Sequence, residues 1–97
     1  MSTAKNSEEF YDKLKGQLYD TTKWPAEYLY KFIVLTDPNK IAEIETKFDN
    51  LGAVINTIPS KNGKYTSVSI NVKMKDPEAV IAKYKEVTEN VEGVISL

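Results

Sequence analysis

The chain has no cysteine and no histidine, and because all thirteen of its basic residues are lysine it has no arginine either. The first two absences remove disulfides, thiol nucleophiles, thiolate and imidazole metal sites, and the commonest general acid or base near neutral pH. The third removes the planar guanidinium fork that usually clamps phosphate and carboxylate groups, leaving lysine as a point charge. Most enzyme mechanisms lose a central group here, so a protein without catalytic activity, cofactor or metal is expected. Long apolar runs are missing too: nothing approaches the roughly 18 residues of a membrane span. The opening MSTAKNSEEF has no apolar segment of the kind a secretory signal carries. A cytoplasmic protein with no membrane role is the expectation. Nor does one sign of charge dominate. Thirteen lysines face fourteen acids for a net charge of −1, and the charges are interspersed, which argues against a polyanion such as nucleic acid as partner.

What is present is an ordinary globular balance, 41% hydrophobic and 28% charged residues in 97. A chain of that length forms one core and buries about two-thirds of its unfolded surface. Two segments share one grammar. TDPNKIAEIETKFDNLGAVI at 36–55 and KDPEAVIAKYKEVTENVEGVI at 75–95 both run through Asp-Pro, an amphipathic stretch, Asn, Gly and a β-branched run. Asp37 and Asp76 suit the N-cap position, with Pro38 and Pro77 at the first helical position, where the missing N–H costs nothing. Ile41, Ile44, Phe48 and Leu51 form an apolar stripe on the first predicted helix; Val80, Tyr84, Val87 and Val91 form one on the second. Gly52 and Gly93 follow as helix stops.

Strand patterns flank both helices, at 28–35 and 53–59 around the first and at 64–74 and 93–97 around the second. Between the middle two lies KNGK, whose Asn-Gly predicts a tight hairpin with both turn residues at positive φ. The order β-α-β-β-α-β, with right-handed crossovers, predicts an α+β fold of the ferredoxin-like plan: a four-stranded antiparallel sheet in order 4-1-3-2 with two helices on one face. Alternation then sends Tyr30, Phe32 and Val34, with Val68, Ile70, Val72 and Met74, toward the helices. Leu29, Lys31 and Ile33, with Tyr65, Ser67, Ser69, Asn71 and Lys73, are left on a face that the repeat does not cover. Residues 1–23 read as an amphipathic helix and an extended arm, and 24–97 as the domain. The helix, at 7–19, carries Phe10, Leu14 and Leu18 as its stripe, and the open face, where small side chains permit close approach, is expected to be covered by this helix, by that of a dimer mate or by a partner. Trp24 reads as a lid over one edge of the core.

The stretches WPAEYLYKFIV, PSKNGKYTSVSINV and VEGVISL together resemble the YbeD-like family of small bacterial proteins of unknown function. The resemblance covers 24–97, and the segment 59–70 is its most specific part. It implies a ferredoxin-like fold close to ACT regulatory domains, which bind small ligands, often amino acids, between paired domains. The glycine-rich loop that ACT domains commonly place after the first strand is absent; LTDPNK stands there instead.

The candidate site is the polar strip of Lys31, Tyr65, Ser67, Ser69, Asn71 and Lys73 on the open face. Its bland alternative is the solvated side of a two-faced sheet, yet such a side would carry more charge than Ser, Ser and Asn supply. RNA-recognition motifs use this topology and stack bases on aromatics of the third strand. Here Tyr65 fits the first position but Ser67 occupies the second, so RNA is not the expected partner. An acylphosphatase-type centre needs a cationic cradle that the chain cannot build. Lys61, Lys64, Lys73 and Lys75 read as a cluster around the hairpin. The function expected is a regulatory or protein-interaction module with a protein partner or self-association, and the alternative is an ACT-like sensor of a small ligand.

Overall fold

Each Asp-Pro pair starts a helix, and the computed structural model shows how. The carboxylate of Asp37 accepts the backbone N–H of Asn39 at 2.8 Å, and that of Asp76 accepts the N–H of Ala79 at 2.8 Å. The described backbone covers residues 3–96 and the described side chains 8–96. In chain order the elements are α1 (Thr3–Thr21), β1 (Ala26–Leu35), α2 (Pro38–Thr46), a 3-10 turn (Asp49–Leu51), β2 (Val54–Pro59), β3 (Tyr65–Met74), α3 (Pro77–Asn90) and β4 (Ile95–Ser96). The sheet is antiparallel in the order β2-β3-β1-β4, the same arrangement as 4-1-3-2, and the fold is α+β on the ferredoxin-like plan.

Three local expectations need correction. The first helix of the repeat stops at Thr46, and the 3-10 turn after it carries Leu51 out to solvent while Ile44 and Phe48 stay buried. The hairpin is not a two-residue turn with both residues at positive φ. Gly63 alone has positive φ, at 76°. Its N–H donates to the Ser60 carbonyl at 2.9 Å, and the Ser60 hydroxyl and Asn62 carboxamide accept the N–H groups of Tyr65 and Lys64. That pattern closes a four-residue loop with side chains doing part of the bonding. Finally, Lys73 and Lys75 do not cluster at the hairpin with Lys61 and Lys64, because the ten-residue β3 separates the two pairs by about 30 Å.

The ladder between β1 and β3 is unbroken from Ala26↔Met74 to Leu35↔Tyr65, and its alternation fixes two faces. Tyr30, Phe32, Val34, Val68, Ile70, Val72 and Met74 point inward and meet Ile44, Phe48, Val80, Tyr84, Val87 and Val91 from the helices. Tyrosine hydroxyls inside this core are all bonded: Tyr30 donates to the Val80 carbonyl at 3.0 Å, and the hydroxyls of Tyr28 and Tyr84 pair at 2.8 Å. Burial holds the hydroxyls of Tyr30 and Tyr84 protonated well above the usual tyrosine range.

The helix α1 does not lie over the open face. It joins the helical layer beside α3, where Tyr11 stacks on Tyr84 with ring centroids 6.2 Å apart and Glu8 pairs with Lys85 at 3.1 Å. Its inward, half-buried stripe is Tyr11, Leu14 and Leu18, at spacings of three and four, rather than Phe10, Leu14 and Leu18; Phe10 is 60% exposed. A ring at position 11 reaches Tyr84, and this aromatic contact decides the helix's rotation. At the far end Trp24 closes the arm onto the core, its indole N–H donating to the Leu18 carbonyl at 3.1 Å. Tyr19 donates to the Glu78 carboxylate, a contact that raises the Tyr19 hydroxyl to about 12 and lowers the Glu78 carboxyl. Among the described residues no helix is long and apolar enough to cross a membrane.

Candidate functional site

With α1 on the helical side, the second face of the sheet is bare. Register places its side chains in rows that cross the strands. One row holds Ile58, Ser67, Ile33 and Ile95. The next holds Asn56, Ser69 and Lys31, and the third holds Val54, Asn71 and Leu29. Beyond these, Tyr65 faces Leu35 at one end and Lys73 faces Glu27 at the other. Every residue of the predicted strip therefore lies on one face, and Lys31 stands directly opposite Ser69. They do not converge on one pocket, since Tyr65 and Lys73 are eight residues apart on a single strand, about 26 Å.

Val54, Asn56 and Ile58 on β2 and Ile95 on β4 belong to the same face, although sequence reasoning did not include them. Their signal lay in strand pairings: the hairpin sets the register of β2 on β3, and β4 takes its register from β1. They change the character of the site. Leu29 is 51% exposed, Val54 62%, Ile58 64% and Ile95 53%, so two apolar rows flank one polar row. Single exposed aliphatics are ordinary on a protein surface, but here several share one sheet face.

The face carries few charges. Among its described residues Lys31 and Lys73 are the cations and Glu27 the acid. Glu27 sits across from Lys73, whereas no described acid stands within ion-pair distance of Lys31. A depression of about 360 Å3 opens at the Glu27–Lys73 end, floored by Ser69 and Asn71 and walled by Leu29 and Val54. Its neighbour, about 430 Å3, lies round the edge between Leu51 and the Ala79–Ala82 side of α3, and the two share Leu51 and Lys73. No group of three or more acids among the described residues is placed to hold a metal ion.

The arrangement defines a ferredoxin-like α+β domain with a third helix in its helical layer and an uncovered, largely uncharged sheet face. Within that class the chain belongs to a family of proteins of unknown function (DUF493), whose model matches residues 20–95. The match spans the sheet and both helices of the repeat, together with the end of α1. No curated protein and no solved structure matches the chain.

Proposed function

We propose that this protein is a non-catalytic interaction module, YbeD-like and cytoplasmic, that holds a protein partner on the open face of its sheet. The observation that supports this most is the exposure of Leu29, Val54, Ile58 and Ile95 on a face from which the chain's own spare helix is turned away. Covering such a patch releases apolar surface from water at about 25 cal/mol per Å2, and the serines between the aliphatics let a partner come close. The lack of His, Cys and Arg fits binding rather than chemistry.

Site-specific photocrosslinking in extracts of the source cells tests the reading. A crosslinker at Ile58 is expected to capture a protein, and the same group at Lys13, exposed on α1, is expected to capture none. Adducts at Lys13 alone, or at neither position, overturn it.

The depression beside Glu27 and Lys73 favours a second reading, an ACT-like regulatory sensor, because about 360 Å3 lies within the size range of small-ligand sites. A ligand at a hundred times its dissociation constant adds about 2.7 kcal/mol to stability. A panel of amino acids and small carboxylates that leaves the melting temperature unmoved at millimolar concentration sinks the sensor reading.

A further inference from the structure

We infer that the occupant of the open face is an acidic amphipathic helix of a partner protein, lying along β3 with a carboxylate on Lys31. The inference rests on the open face being the contact surface and adds the chemistry of what binds there.

Three features of the face select this occupant. The first is its cross-section. Ser67 and Ser69 run down β3 between taller walls, Val54 and Ile58 on β2 and Leu29 and Ile33 on β1. Those walls stand two strand spacings apart, about 10 Å, which matches the width of an α-helix. A strand laid face-on across these side chains would leave its own N–H and C=O groups without partners, whereas a helix satisfies its own.

The second feature is spacing along the trough. Leu29 and Ile33, like Val54 and Ile58, are four residues apart on their strands, so the two apolar rows are separated by about 13 Å. Eight helical residues span about 12 Å, so apolar side chains seven or eight positions apart on one helix face reach both rows. The residue between them, about four positions along, arrives over the polar row.

The third feature is charge. That polar row contains Lys31, with which no described acid pairs. Covering an ammonium without a counter-charge is costly, so whatever covers the row brings a carboxylate. A second copy of this chain does not, because its corresponding face has Glu27 alone, at one end and opposite Lys73. A face-to-face dimer would bring together four lysines and two glutamates, each glutamate already opposite a Lys73.

The test uses the full chain and a designed 18-residue helical peptide with leucines eight positions apart and glutamate between them, alongside a copy with lysine in place of glutamate. Binding at low salt is measured by fluorescence anisotropy, and the footprint by amide chemical shifts of the labelled protein. The acidic peptide is expected to bind at least tenfold more tightly than the basic one and to shift the amides of Lys31, Ser69 and Asn56. Lys31→Glu is expected to reverse the preference, and Lys31→Gln to abolish it, both without change in melting temperature because the side chain is exposed. Four results overturn the inference: equal affinity for the two peptides, no binding at 1 mM, a footprint on the helical layer, or a concentration-dependent dimer whose interface contains Lys31. If Ile58 crosslinks to a protein and the peptides show no charge preference, the contact surface stands and the acidic helix falls.

Discussion

Asp76 carries more of the structure than its place between a strand and a helix suggests. Its carboxylate takes up an otherwise orphaned N–H at the start of α3, the fourteen-residue helix on which the core and α1 both rest. Asp76→Ala is expected to cost about 1 kcal/mol in urea unfolding, and Asp37→Ala about the same, with peptide binding to the open face unchanged for both. Equal midpoints for variants and parent would show that the caps contribute nothing. The buried tyrosines give the protein an alkaline limit. Tyr30 and Tyr84 ionise at higher pH in the folded chain than in the unfolded one, so their contribution is fully present below about pH 10, the unfolded value, and is lost as pH rises from there. Each is expected to lower stability by up to about 1.4 kcal/mol per pH unit above pH 10. Tyr84→Phe is expected to flatten that decline, at the cost of the Tyr28 hydrogen bond. A variant whose alkaline slope matches the parent's disproves the assignment.

At the level of elements, α1 is a structural part of the helical layer. Deleting residues 1–22 removes Tyr11, Leu14 and Leu18 from Tyr84 and its surroundings and should lower stability by about 3 kcal/mol. The uncovered side of α3 should then drive association, which light scattering on the truncated chain detects. Unchanged mass and melting temperature would make α1 a tethered arm. The Asp-Pro caps, the inward parity of β1 and β3 and the strand order were legible in the sequence because each depends on short-range chemistry or strict alternation. The placement of α1 was not. Phe10, Leu14 and Leu18 make as good a stripe on a helical wheel as Tyr11, Leu14 and Leu18, and only the stack on Tyr84, 73 positions away, separates them. The apolar half of the candidate site escaped for a similar reason. Val54 and Ile58 join Leu29 and Ile33 only through strand pairings that the β2–β3 hairpin loop sets, and Ile95 only through the short pairing of β4 with β1.

On the scale of the whole molecule, the helical layer and the sheet divide the labour. One face of the sheet carries the buried strand residues, and the other carries the exposed aliphatic ones. Ile58→Asp combined with Leu29→Asp should therefore abolish capture at the open face while shifting the melting temperature by no more than a few degrees, because the pair contributes little to the core. Loss of folding in that variant, read by circular dichroism, would mean that the face stabilises the domain itself.

The unbroken ladder from Ala26↔Met74 to Leu35↔Tyr65 has an evolutionary consequence. Ten consecutive pairs lock the register so firmly that positions 27, 29, 31 and 33 and positions 67, 69, 71 and 73 can change identity without disturbing the residues between them. The two faces of one strand are thus free to diverge at different rates. A combinatorial library randomised at those eight positions should yield mostly folded proteins, so the open face can change its chemistry over generations without first losing the fold.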